Sequence, residues 1–170
     1  MLLLNATGGF DASVLEAAAD RGVSWEDVIA GSDSALDALG VKGAPREALL
    51  GLISSGWCDR EVDRCEKKGI EIIFFGEARY PPMLGDLRDP PLVLYARGKG
   101  LPPGDAVAVV GTRKCTSYGS GCAYDLASML AGAAVAVVSG GARGIDGAAH
   151  RGSIDSGGRT VAVIGTGADI

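Results

Sequence analysis

Three short runs of apolar, β-branched residues recur at similar spacing in the second half of the chain: VAVV at 107–110, VAVV at 135–138 and VAVI at 161–164. They are continuously apolar instead of alternating, as expected for parallel strands covered by helices on both faces. Helix-length segments lie between them, near 119–131 and 145–155. The order is βαβαβ, which restricts this half to an α/β fold with a mainly parallel, Rossmann-like sheet. In the first of these helices Cys122, Leu126, Met129 and Leu130 form the stripe expected to be buried, with Gly119, Gly121 and Ala123 allowing close approach to the strands. The sequence stops at Ile170, just after the third strand and its turn. Half of a doubly wound sheet would then be missing, so a piece of a longer protein is expected.

The first half reads differently. Up to about residue 68 short helical patterns are broken by glycine: Val14, Leu15, Ala18 and Ala19 make one stripe, Ser24 can cap a helix carrying Trp25, Val28 and Ile29, and Leu49, Leu50 and Ile53 make a third. A small helical domain over 1–68 is expected, followed by an α/β domain over 69–170. The run IEIIFF at 70–75, between Gly69 and Gly76, reads as the first strand. Prolines at 81, 82, 90 and 91 then exclude long helices and leave a short strand at 92–95.

Charge and cysteine usage narrow the function classes. The net charge is −5, but residues 1–80 carry 14 acids and 8 bases while residues 81–170 carry 7 acids and 8 bases. The acidity sits in the first half and does not oppose anion binding by the second. No apolar run approaches the roughly 20 residues that span a bilayer, and the opening MLLL lacks the length and basic flank of a signal peptide, so a cytoplasmic protein is expected. Cys58, Cys65, Cys115 and Cys122 form no CxxC, and His150 is the only histidine. Reduced thiols and no metal site are expected.

In an open parallel sheet, ligands bind beyond the carboxyl ends of the strands. The three turns there are Gly111, Thr112, Arg113 and Lys114; then Ser139, Gly140, Gly141, Ala142, Arg143 and Gly144; then Gly165, Thr166 and Gly167. Glycines let backbone amides approach an anion, hydroxyls add donors, and helix starts favour phosphate. Arg113 and Lys114 supply positive charge, the arginine being suited to bidentate phosphate contact. On pattern alone two readings stay open for every feature. Glycine at strand-to-helix turns is ordinary in α/β folds, Arg143 and Asp146 can form a local ion pair, and His150 reads as a packed or capping histidine more readily than as a base. Thr116 and Tyr118 fit a simple helix start. No GxGxxG, Walker A or GxSxG string is present. No cofactor is expected.

Four strings in order, YPPMLGDLRDPPLVLYARG, VAVVGTRKCTSYG, VVSGGARGIDGAAHRG and GGRTVAVIGTGAD, are similar in sequence and spacing to the core of the DNA-processing protein A (DprA/Smf) family over about residues 79–169. The resemblance implies an extended Rossmann domain that binds single-stranded DNA, protects it, and helps load the RecA recombinase during natural transformation, without making or breaking a bond. By position, Gly111, Thr112 and Arg113 match the family's G-S-R turn. Ser139, Gly140, Ala142, Arg143, Gly144, Asp146 and His150 match its S-G-x-A-R-G-I-D…A-H segment, and Gly165, Gly167 and Asp169 match the third turn. Thr112 stands where the family usually has serine, and Gly141 where it commonly has leucine. The resemblance makes single-stranded DNA and RecA the expected partners, with a possible homodimer through the missing carboxyl-terminal half. The amino-terminal part resembles the sterile-alpha-motif-like or helix-hairpin-helix domain fused to this family, with a structural or protein-contact role favoured by its acidity. Three rivals stand beside this reading. One is an enzyme of the related group that hydrolyses nucleoside monophosphates, whose PGGxGTxxE motif is absent here; the second is a plain nucleotide-binding module; the third is a pure interaction protein, in which Arg113→Ala would have no effect on DNA.

Overall fold

The opening leucines form a helix of their own, α1 (Leu2–Thr7), which buries Leu2, Leu3 and Leu4. The computed structural model describes residues 1–8, 10–100 and 104–168, in two compact units, Met1–Gly98 and Lys99–Ala168. In the first unit α2 (Ser13–Asp20) buries Val14 and Ala18, and α3 (Trp25–Ile29) starts where the Ser24 hydroxyl accepts the Glu26 N–H at 3.2 Å. Helices α4 (Asp33–Ala38) and α5 (Gly43–Ser54) add Ala35, Leu36 and Leu49 to the core, and α6 (Trp57–Lys67) follows. Of the predicted stripe on α3 only Val28 is buried; Trp25 and Ile29 are exposed.

Strands β1 (Ile70–Phe74) and β2 (Val93–Arg97) form an antiparallel pair, with Ile72 opposite Tyr95 and Phe74 opposite Val93. The connector between them holds only one short helix, α7 (Pro82–Gly85). It is pinned by the Tyr80 hydroxyl, which donates to the Pro91 carbonyl at 2.9 Å, and by an edge-to-face contact of Tyr80 with Phe75. Leu92 and Val93 lie in the same core as Leu4, Leu36 and Leu49, with Ile72, Phe74 and Tyr95 packed against it. A lone two-stranded hairpin cannot bury its apolar face unaided, and the helices supply the missing surface. The first compact unit therefore runs on to Gly98 instead of stopping near residue 68.

The second unit is the βαβαβ run: β3 (Ala106–Ala108), α8 (Ser117–Gly132), β4 (Ala136–Ser139), α9 (Ile145–Asp155) and β5 (Thr160–Ala162). The strands are parallel in the order β3-β4-β5, with Val107 opposite Val137 and Val138 opposite Val161. Both crossovers step the same way across the sheet, so right-handed connections put α8 and α9 on one face. The two helices pack on each other, with the Tyr124 hydroxyl donating to Asp155 Oδ2 at 3.0 Å and the Ser128 and Ser156 hydroxyls 2.6 Å apart. Cover on both faces is thus not realised among the described residues, and Val110 and Val163 are 68% and 64% exposed.

The buried stripe of α8 also differs from expectation. Cys122, Leu126 and Met129 are exposed, whereas Ala123 and Ala127 are buried and Leu130 packs on the core of Val109, Ala127, Val137 and Ala149. Small residues win that face because α8 and α9 approach closely: a Cβ on Gly152 would run into the Tyr124 carbonyl oxygen. Gly121 faces open space and Gly119 sits against Thr116 and Ile145, so neither brings α8 onto a strand.

Beneath the sheet, His150 Nδ1 lies 2.7 Å from Thr160 Oγ1, whose own proton goes to the Val137 carbonyl at 2.8 Å. Nδ1 is therefore the donor, and the neutral ring leaves Nε2 as a buried acceptor with no partner among the described residues. Burial lowers the His150 pKa below its ordinary value, opposed in part by the Asp146 carboxylate. The unfolded chain then binds the proton more readily than the folded one. This contribution to stability is complete above the unfolded value and is lost as pH falls through the folded one.

Two measurements check this packing. Gly152→Ala should lower the urea midpoint at unchanged m-value, by about 1–3 kcal/mol of overpacking; an unchanged midpoint contradicts the close approach. The stability margin of wild type over His150→Gln should narrow as pH falls below about 6.5, and a margin independent of pH contradicts the buried neutral ring.

Candidate functional site

The three turns follow three adjacent parallel strands, so they line one edge of the sheet in the order first, second, third. Asp146, in the first turn of α9 and only 6% exposed, joins the first two. Its Oδ1 accepts the Gly111 N–H at 3.2 Å and its Oδ2 accepts the Ala142 N–H at 3.4 Å. The Ile145 N–H adds a bond to the Thr112 carbonyl at 3.2 Å. Gly144, at φ +88°, fits beneath the first turn so tightly that a Cβ there would collide with the Thr112 carbonyl oxygen and the Arg113 backbone. The first turn folds back on itself as well, the Thr112 hydroxyl accepting the Lys114 N–H at 3.1 Å.

These bonds sort the predicted residues by what remains available. Ser139 is buried, and its hydroxyl donates to the Val109 carbonyl at 2.6 Å, so it ties β4 to the end of β3. Asp146 is turned inward on backbone amides. His150 sits under the sheet against Thr160, away from the strand-end turns. Thr112, Arg113 and Lys114 are exposed in the first turn, Gly140, Gly141 and Arg143 in the second, and Gly165, Thr166 and Gly167 in the third, while Ala142 is half-buried. The second and third turns meet through the Val163 N–H, which donates to the Ser139 carbonyl at 2.8 Å, and through Gly141, whose added Cβ would lie 3.4 Å from Ile164. Gly141 has φ +70°, a backbone state that the family's leucine would hold only under strain. Asp169 lies outside the described residues.

The two helix starts are electrostatically unequal. Asp146 occupies the first turn of α9 and satisfies part of its positive end from within. The first turn of α8 has no acid, and Thr116 caps it by accepting the Gly119 N–H at 3.1 Å. Arg113 and Lys114 lie in the turn that leads into it, and Tyr118, in its first turn, is 83% exposed with its hydroxyl bonded to Cys122 one turn on. Two further tyrosines, Tyr124 and Tyr95, are committed elsewhere. Tyr124 holds Asp155, and Tyr95 is packed in the first unit, where burial and the nearby Glu61 carboxylate push its phenol up to about 12. The sequence offers Tyr118 both as a helix-start residue and, with Tyr95 and Tyr124, as one of few rings able to stack on a base; its exposure follows from the choice of Ala123 and Ala127 as the packed face of α8. Ile145, whose amide and side chain back the first turn, carried no sequence signal as a site residue.

Among the described residues no three His, Cys, Asp or Glu side chains come together as a metal-ion ligand set, and no helix is long and apolar enough to cross a membrane.

Comparison with known proteins agrees with this architecture. Over 84 residues the chain is 58% identical to the putative DNA processing protein DprA of Mycobacterium tuberculosis (strain CDC 1551 / Oshkosh), covering 47% of this chain and 21% of that protein. Over 103 residues it is 39% identical to the DNA processing protein DprA of Bacillus subtilis (strain 168), covering 59% of this chain and 35% of that one. The crystal structure of DNA processing protein A from Streptococcus pneumoniae superposes on 99% of this chain and 58% of its own, with a TM-score of 0.69 at 23% identity, a likeness of fold. The chain thus spans about a fifth to a third of the length of these curated relatives. The family model for DNA recombination-mediator protein A matches residues 71–170, well over half of the sequence and the whole βαβαβ run, and the chain belongs to that family.

Proposed function

We propose that the chain binds single-stranded DNA through its phosphate backbone, at the first strand-end turn and the start of α8, as part of a DNA-processing protein of natural transformation. The observation that carries this reading is the grouping of exposed Arg113 and Lys114 with an acid-free helix start and the outward Tyr118. Arginine and lysine neutralise phosphates, the α8 start adds a favourable dipole, and an exposed ring beside them offers a base a stacking surface. Gly140, Gly141, Ala142 and Arg143 flank this centre, and Gly165, Thr166 and Gly167 extend the edge further along the strand. Asp146 acts as a positioning residue that holds the first two turns, Ser139 as a strand tie and His150 as a packing group.

On the same reading the protein carries out no bond-making chemistry, protects DNA, works with the RecA recombinase in the cytoplasm, and forms homodimers through parts of the longer relatives that this chain does not span. The DNA-processing names of the relatives and the recombination-mediator family support the DNA-handling part of this reading. A plain mononucleotide-binding module would instead saturate with one nucleotide and gain nothing from a longer strand.

Fluorescence anisotropy with labelled poly-dT tests the reading. Wild type should bind with strong salt dependence, Arg113→Ala should lose about 0.7 from the salt slope for one phosphate contact, and Tyr118→Ala should weaken binding by about 1–3 kcal/mol with the slope kept. Equal binding by wild type and both variants would overturn the assignment.

A further inference from the structure

Half of the eight bases in residues 1–80 lie within nine positions, Arg60, Arg64, Lys67 and Lys68, on α6 and at its C-cap. At 3.6 residues per turn they fall within an arc of about 100°, while Asp59 and Glu66 fall on the other side of the helix. The four bases and Asp63 line an open concavity of about 370 Å³. In a stretch with a marked excess of acid, the basic side chains are thus gathered on one face.

Local bonds hold that face in shape. Glu61 is buried beneath it and receives Arg64 at two points, Nε at 2.9 Å and Nη2 at 2.7 Å, which fixes the guanidinium. Arg60 donates to the Ser55 carbonyl at the end of α5. Trp57, one turn earlier, is half-buried and packed against the core, so charge predominates on this face, which lies in the unit that does not contain the strand-end turns.

We propose that this face of α6 is a second nucleic-acid contact, which takes phosphates of the DNA backbone without regard to sequence. The proposal rests on the reading that the chain binds DNA, and it adds electrostatic contacts outside the Arg113 turn. With charge predominating, the face should contribute chiefly through counterion release and appear in the salt slope.

The test compares the 170-residue chain with Arg60→Gln/Lys67→Gln, which leaves the Arg64–Glu61 pair intact, and with the charge-preserving Arg60→Lys/Lys67→Arg, using dT of about 30 nucleotides across a salt series. Circular dichroism confirms that each variant is folded. The neutral double variant should lose about 1.4 from the slope, about 0.7 per phosphate contact, and the charge-preserving variant should keep it. Arg113→Ala, measured in parallel, separates the two claims. If it binds as wild type while the α6 variant loses slope, the α6 face stands and the strand-end assignment falls. If Arg113→Ala weakens binding while the α6 variant keeps the wild-type slope, the α6 proposal is overturned and the strand-end site stands. No binding by wild type overturns both. A loss confined to phosphatidylserine vesicles, with dT slopes unchanged, assigns the face to a lipid surface and also overturns the proposal.

Discussion

One carboxylate organises the functional edge of the sheet. Asp146 receives the amide of Gly111 from one turn and that of Ala142 from the next, from a position that is almost wholly buried. Both bonds are partly buried, and each ties the backbone of its turn to a fixed acceptor. The glycines around it follow from the same constraint. A Cβ on Gly140 would come within 2.8 Å of Asp146 Oδ2, and a side chain on Gly111 or Gly144 would meet Ile145 or the first turn itself. The G-A-R-G-I-D string is a clamp for backbone before it is anything else.

That arrangement decides where an anion can sit. With Asp146 at its first turn, α9 is already supplied with negative charge, and the open positive end belongs to α8. Arg113 and Lys114 lie in the turn that leads into α8, held by the very bonds that Asp146 and Ile145 make. On the proposed reading, the bases that would meet an incoming strand are positioned by a helix whose own positive end is partly satisfied by Asp146. The G-A-R-G-I-D string then shapes the turn on which the exposed bases sit.

The order of strands and helices in the second unit was legible because periodicity and turn glycines act locally: the helix expected near 145–155 is α9 (Ile145–Asp155), and each apolar run overlaps its strand to within one or two residues. What sequence could not supply was the choice between faces. Cys122, Leu126 and Met129 look like a core stripe, yet the packing gap is set by Gly152 against the Tyr124 backbone, and only Ala123 and Ala127 fit it. The hairpin of β1 and β2 looked like the start of the sheet domain because strand propensity does not say what a strand packs on; Leu92 and Val93 join the helical core instead. In the site, the basic residues and glycines were readable from the turns, whereas the inward roles of Ser139, Asp146 and His150 depend on partners 30, 35 and 10 residues away.

Whether Asp146 serves the site by shaping it or by meeting the ligand is decided by the sign of one substitution. In Asp146→Asn, amide hydrogen exchange at Gly111 and Ala142 and dT affinity should be measured on the same sample. The account predicts faster exchange at one or both amides, since the Asn amide group cannot accept both N–H bonds, together with weaker dT binding despite the loss of a negative charge. Unchanged exchange with tighter dT binding, as expected if the carboxylate merely repelled phosphate, would contradict it.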